Sequence, residues 1–267
     1  LTFDRGQPFP ADFSVGIFLP NEPVRLNIIT TRMISPLIVV TCCCVFLLLS
    51  FVSSQSYEIA TVAGYRFYDG EGGLASSVSV NMPFGVAFHP ITGDVFIADT
   101  YNHVFRRVNQ TTGVITTVAG TPGQWGFYGD GGLATRAKMY NPSSIAFSPD
   151  GNVMYIADQY HQRVRMVKDG IMTTVAGNGA AGFGGDGFSA SSASLYYPSR
   201  VTLLPTTGEL IIVDSYNHRI RKVGTNGIIS TIAGTGTKTG EVGSVLGDGG
   251  PSTSATLNYP TGVVANS

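Results

Sequence analysis

Downstream of residue 44 the sequence contains no cysteine, and its three cysteines, Cys42, Cys43 and Cys44, are consecutive. Most of the chain can therefore hold neither a disulfide framework nor a thiolate metal site, and its stability has to come from packing and β-ladder hydrogen bonds. Charge is scarce as well. Charged residues make up 12% and the formal net charge is −1, so no bulk field draws the chain to nucleic acid or to an anionic membrane. No Gly-x-Ser-x-Gly element and no nucleophile–base pair marks a hydrolase. The Asp-x-Asp-x-Asp alternation of a Ca²⁺ loop is missing too. What is abundant is turn chemistry: 34 glycines and 14 prolines punctuate a chain with 43% hydrophobic and 10% aromatic residues. That composition suits an all-β protein of short strands with a real core.

A repeat organises those strands. Thr61-Val62-Ala63-Gly64 returns as Thr117–Gly120, as Thr174–Gly177 and as Thr231-Ile232-Ala233-Gly234, in steps of 56, 57 and 57 residues. A period of that size sets the architecture before any local propensity does. Other spacings hold within it. Pro83, Pro142, Pro198 and Pro260 each lie 12 residues after Glu71, Asp130, Asp186 and Asp248, and Asp99, Asp158 and Asp214 each lie 16 after their proline. The third unit reads as four strands. Arg200–Leu204 leads through a Thr-Thr-Gly-Glu turn into the apolar run Leu210–Val213. Asp214–His218 then turns into the alternating Arg219–Val223, and Gly224–Gly227 turns into Ile228–Ala233. Four strands joined by three tight connections make one propeller blade. The distance from each Ala-Gly end to the next acidic turn varies most, at 7, 10, 9 and 14 positions. Insertions confined to one point of a repeat map to one face of the assembly.

The first 56 residues lie outside the repeat. Residues 1–32 match nothing in it and are expected to be disordered or a non-native upstream extension. From Met33, a short polar lead precedes the almost wholly apolar run Leu37–Val52, followed by Ser53-Ser54-Gln55-Ser56. A run of sixteen residues is short for a spanning helix, which needs roughly 20, and fits a signal-peptide core. A hydrophobic helix is therefore expected within 33–56, either cleaved before Gln55 or kept as a signal-anchor with Arg25 and Arg32 on its cytoplasmic side. Either reading places the repeats of 57–267 outside the cytosol. Membrane contact is expected only through residues 37–52, if they are not removed.

Asp99-Thr-Tyr-Asn102-His103-Val-Phe-Arg106 and Asp214-Ser-Tyr-Asn217-His218-Arg-Ile-Arg221 resemble the signature of the NHL repeat. So do Gly131-Gly132-Leu133-Ala134-Thr135 with Asn141-Pro142, and the Thr-Val-Ala-Gly ends. The resemblance covers about 58–264, and the middle copy departs from it, with Tyr160-His161-Gln162-Arg163 where Asn-His is expected. It implies a β-propeller of four-stranded antiparallel blades that serves as a platform for ligands or proteins. Three blades are complete, at about 83–120, 142–177 and 198–234. Residues 58–64 supply only a last strand, and 259–264 only begin another. The ring is thus expected to be incomplete, as a fragment, or as a chain that self-associates through its open edges or closes as a distorted four-bladed ring.

Asp99, Asp158 and Asp214 recur around the ring and could line a Ca²⁺ channel. Their regularity favours a structural role, in which each caps its own turn and pairs with Arg106, Arg165 or Arg221. Asn102, His103, Asn217 and His218 are structural by the same reasoning, and the acidic turns at Glu71, Asp130, Asp186 and Asp248 are put down to turn chemistry. Some relatives on the implied fold, such as amidating lyases, hold zinc with histidines from different blades. Here only His89 occupies a unique position, without a partner at ligand spacing. Arg106, Arg107, Arg163, Arg165, Arg219, Arg221 and Lys222 could form a basic ring for RNA. Strand alternation more simply makes one of each pair exposed and one inter-blade. Asn109-Gln-Thr111 is an N-glycosylation acceptor in a turn. Trp125, Phe127 and Tyr128, on a variable loop, are candidate binding hot spots or fillers of a groove between blades. The expectation is a non-catalytic extracellular binding or scaffold module for a protein or glycan ligand, with no cofactor, no metal and no nucleic acid. The alternatives are a metal-dependent lyase or hydrolase on the same propeller and, more weakly, an RNA binder.

Overall fold

The computed structural model describes residues 27–30, 37–42, 45–50, 70–237 and 247–265, so the first Thr-Val-Ala-Gly, at 61–64, lies outside the described residues. Strands β1 (Asn27–Thr30), β2 (Leu37–Cys42) and β3 (Val45–Ser50) form an antiparallel meander. This corrects the expectation of a helix, because the apolar run is a hairpin in which Leu37 pairs with Ser50 and Cys42 with Val45; apart from β1, residues 1–32 lie outside the described residues. Its Ile-Val-Val-Thr core is β-branched, which restricts χ1 and favours a pleated surface over a helix. Among the described residues no helix is long and apolar enough to cross a membrane.

Three four-stranded antiparallel blades follow. The first is β4 (Val86–Phe88), β5 (Val95–Asp99), β6 (Val104–Val108) and β7 (Ile115–Ala119). After the two-residue strand β8 (Gly132–Leu133), the second blade is β9 (Pro142–Phe147), β10 (Val153–Asp158), β11 (Arg163–Lys168) and β12 (Ile171–Ala176). The third is β13 (Pro198–Leu203), β14 (Leu210–Asp214), β15 (Arg219–Val223) and β16 (Ile229–Ala233). Strands pair in sequence order, and β8 adds to the outer edge of the second blade. The strands of the third unit begin and end within two residues of their predicted limits.

The core lies between blades. Phe96 and Phe105 of the first meet Ile145, Ile156 and Met172 of the second, with Met139 from the connecting segment between them. Ala157 and Ala176 of the second meet Val201, Ile212 and Ile229 of the third, with Leu195. Because strands are antiparallel, the hairpins joining first to second and third to fourth strands lie at one end of the blades. The turns joining second to third strands, and the segments linking blades, lie at the other end.

Each residue of the Thr-Val-Ala-Gly motif has a distinct place in the blade. Its threonine hydroxyl donates to the acidic turn: Thr117 to Glu71, Thr174 to Asp130 and Thr231 to Asp186, at 2.9, 2.7 and 2.7 Å. The second residue is an extra one in the fourth strand. Arg106 pairs with Thr117 and Phe105 with Ala119, so Val118 is bulged, and the same shift recurs at Val164/Arg165 and Ile220/Arg221. Ala119 and Ala176 are fully buried in the cores between blades. Gly177, at φ +87°, lies so close to Arg163 and Gln162 that a Cβ would sit 2.2 Å from the Gln162 carbonyl oxygen.

Candidate functional site

Each blade is stitched across its strands by one buried charge cluster. Arg221 on β15 is fully buried and its Nη1 lies 3.1 Å from Asp214 on β14, while Nη2 lies 2.6 Å from Asp186 in the acidic turn. In the second blade Arg165 spans Asp158 and Asp130 at 3.3 and 2.5 Å. Arg106 is held more loosely, 3.6 Å from Asp99 and 3.5 Å from Glu71. The second-strand aspartates do not cap their own 3-10 turns, contrary to expectation. They accept instead from a backbone N–H that precedes the first strand: Asn81 to Asp99, Tyr140 to Asp158 and Tyr196 to Asp214. Nor do the acidic turns serve only their own geometry, since Glu71, Asp130 and Asp186 anchor the incoming segment to the arginine and threonine of the blade it leads into. Burial pushes the Asp99 carboxyl up to about 6, against its bonds to the Asn81 N–H, Asn102 and Arg106.

The departure in the middle copy becomes intelligible at the joints between blades. His103 and His218, in left-handed backbone, accept through Nδ1 from the N–H of Asn141 and of Tyr259, at 3.3 and 3.0 Å. Gln162 takes that place in the second blade and accepts from the Tyr197 N–H through Oε1 at 2.5 Å. His161 takes over from asparagine, 2.9 Å from Asp158 through Nδ1, where Asn102 and Asn217 donate to Asp99 and Asp214. His-Gln thus reproduces the donor and acceptor pattern of Asn-His, one position apart.

This gives a pH dependence. Burial holds the pKa of His103 below 6.5, with His161 acting the same way and Asp158 opposing. The unfolded chain then binds more protons than the folded one below about 6.5, so stability is lost as pH falls through that value. Asp99, raised above its unfolded 3.8, acts oppositely and loses stability as pH rises toward 6. Replacing His103 by Gln, which copies the Gln162 joint, is expected to remove the His103 part of the slope below about pH 6.5. Denaturant unfolding at several pH values reads the difference.

The same end of the blades carries a continuous row of aromatic rings. Trp125 lies 5.2 Å from Tyr140, Tyr140 4.8 Å from Tyr160, Tyr160 4.9 Å from Tyr197, Tyr197 4.6 Å from Tyr216 and Tyr216 5.0 Å from Tyr259. Tyr160, Tyr216 and Tyr259 stay 39%, 45% and 40% exposed and Trp125 64%, so the row is an accessible face and not a core. Tyr197 and Tyr259 have positive φ, 51° and 44°, which is strained for a bulky side chain. Of the loop aromatics, Trp125 joins this face. Phe127 instead packs under Arg163, 3.8 Å away, and against the edge of His161. Tyr128 is exposed, its backbone bridged to Lys138. The sequence carries a signal for these tyrosines. Asp-x-Tyr recurs at Tyr101, Tyr160 and Tyr216, on the turn between second and third strands.

The remaining candidates are placed as follows. The arginines form no exposed ring: Arg106, Arg165 and Arg221 are fully buried. Arg163 and Arg219 fold over Phe127 and Phe183 and donate to the carbonyls of Asn178 and Thr235. His89 is engaged at both ring nitrogens, Nδ1 accepting from the Thr92 N–H and Nε2 facing the Gly151 carbonyl at 3.1 Å. Among the described residues no group of three or more His, Cys, Asp or Glu side chains is placed to hold a metal ion. Asn109 begins an exposed turn, its Oδ1 accepting from the N–H groups of Thr111 and Thr112.

The family model for the NHL repeat matches residues 195–223. The chain is 28% identical over 153 residues to Protein SUPPRESSOR OF QUENCHING 1, chloroplastic, of Arabidopsis thaliana, covering 57% of this chain and 14% of that protein. It is 40% identical over 87 residues to Teneurin-1 of Mus musculus, covering 28% and 3%. It is 26% identical over 134 residues to NHL repeat-containing protein 2 of Bos taurus, covering 48% and 18%. The chain thus spans under a fifth of the length of these curated relatives. Among solved structures, an auxiliary nutrient binding protein from Bacteroides thetaiotaomicron superposes with a TM-score of 0.52 at 18% identity, covering 76% of this chain and 49% of that one. One of the same description from Bacteroides ovatus gives 0.51 at 15%, covering 87% and 52%.

Proposed function

We infer that this chain, whose blades are NHL repeats in a β-propeller arrangement, is a non-catalytic binding module that presents its tyrosine-lined face to a protein or glycan ligand. The observation that carries the reading is the unbroken row from Trp125 to Tyr259, accessible at its exposed rings, at the end of the blades that also bears the variable loops. Tyrosine offers a large rigid contact surface with a hydroxyl at its rim and little rotamer entropy to lose. The nearby arginines are spent on aromatic rings and backbone carbonyls. An uncharged ligand therefore suits the face better than a polyphosphate backbone does. The two Bacteroides proteins of like fold are described as nutrient binding, which supports binding as the kind of function. An address outside the cytosol is part of the proposal. It is supported by the acceptor Asn109 in an exposed turn.

The test uses the full chain with cellohexaose and a ten-residue polyproline peptide as probes of the two ligand classes, by titration calorimetry. Binding of one of them, reduced roughly tenfold or more by Tyr160→Ala with Tyr216→Ala, is the expected result. Binding of neither, or binding indifferent to that pair of substitutions, overturns the reading.

A further inference from the structure

The innermost strands of the three blades border a groove of about 340 Å³ whose lining includes Val86 from β4, Ile145 from β9 and Arg200, Val201 and Thr202 from β13. Strand alternation sends Val201 into the core between the second and third blades, where it is 2% exposed. Arg200 and Thr202 therefore share the opposite face of β13. Arg200 is half-buried. The repeat puts Gly85, Ser144 and Gly262 at its equivalent positions, each two residues after the blade's proline. Arginine at this point is thus peculiar to one blade, unlike Arg106, Arg165 and Arg221, which recur.

The other arginines of the blade strands are all engaged. Arg106, Arg107, Arg165 and Arg221 pair with carboxylates, and Arg163 and Arg219 donate to backbone carbonyls. The Arg200 guanidinium has no hydrogen-bond or ion-pair partner among the described residues, and no acidic side chain among them lines the groove. A guanidinium beside apolar side chains lacks a counter-charge there, which a planar oxyanion supplies through two parallel N–H···O bonds. The groove lies at the small end of the range for ligand pockets.

We propose that this groove is a binding site for a small organic anion, whose carboxylate or phosphate head is held by Arg200 beside the Thr202 hydroxyl and whose apolar body lies against Val86 and Ile145. The proposal goes beyond the tyrosine face and does not depend on it. Three probes of one shape separate the contributions: benzoate, phenyl phosphate and benzyl alcohol, titrated into the full chain by calorimetry. Benzoate or phenyl phosphate should bind and benzyl alcohol should bind at least tenfold more weakly, the stronger anion identifying the head group. Arg200→Gln should weaken the anion about tenfold or more, and Arg200→Lys should fall between, because a point charge replaces a bidentate fork. Arg136→Gln, on the exposed surface, should change nothing. Thermal melts of both Arg200 variants coinciding with the parent would show that the fold is intact. Failure of both anions to bind, equal binding of the neutral probe, or an Arg200→Gln variant that binds as the parent does would overturn the site.

Discussion

Replacing Arg221 by Met is expected to lower the stability of the chain by about 3–5 kcal/mol, the usual cost of removing one partner from a buried ion pair. Arg221 is fully buried and connects Asp214, also fully buried, to Asp186 at the surface. Methionine fills much of the arginine stem but leaves the Asp214 carboxylate with only the Tyr196 N–H and Asn217 against its desolvation. Burial already pushes the Asp214 pKa up, with Arg221 among the groups pulling it down. Without the arginine that carboxyl rises further, so the variant should recover part of its loss as pH falls and Asp214 is neutralised. Arg219→Met is the comparison. Its guanidinium is half-exposed and bonded to carbonyls, so its loss should be clearly smaller. Equal destabilisation of the two variants in denaturant unfolding would refute the assignment of Arg221 as the charge that stitches the blade.

The second large effect is expected at Gly177. Its Ala variant should lose about 3 kcal/mol or more, combining the left-handed backbone penalty of a Cβ with the displacement of packed backbone. The clash is with main chain, the Gln162 carbonyl oxygen and the Arg163 Cα at 2.2 and 2.9 Å, and neither can rotate away. Displacing that carbonyl also moves Gln162, whose side chain holds the start of the third blade through the Tyr197 N–H. Gly187 is the control: its φ is +83° but nothing lies within 4 Å of an added Cβ. Gly187→Ala should therefore cost only the conformational part, about 1–2 kcal/mol. The difference between the two variants, read from unfolding midpoints, isolates the close approach from the positive φ.

Both effects fall on positions the repeat had marked, but for reasons it did not give. A glycine recurring after Thr-Val-Ala reads as a turn residue; it is one, and it also makes room for the neighbouring strand's carbonyl. The aspartate of the second strand reads as a cap because Asp, Asn and a turn follow one another. Its side chain in fact reaches the N–H 18 residues upstream, a distance that no local motif encodes. The acidic turns looked self-contained, since their arginine partners lie 35 residues away in sequence. His161 looked like a broken signature until its ring was placed against Asp158 and Gln162 against the Tyr197 N–H.

The apolar run at 37–52 failed for a different reason. Length and hydropathy are shared by a signal helix and an apolar hairpin, and the run has no periodicity to choose between them. Residue type leans toward strand through its Ile-Val-Val-Thr, and the pairing of β2 with β3 follows that lean.

The sequence by itself determined the blade: its period, its four strands, its turns and the residues that recur in each copy. These are set by local chemistry, hydrophobic runs, positive-φ glycines and fixed spacings, which are legible one segment at a time. Only the tertiary structure decided what the recurring residues do together. It brought tyrosines from separate turns and linking segments into one row, consumed the other strand arginines in carboxylate and carbonyl contacts, and left the Arg200 guanidinium without a partner among the described residues in the groove between inner strands. Those outcomes depend on which segments of different blades become neighbours, and long-range pairing of that kind is fixed by packing, not by the spacing of residues along the chain.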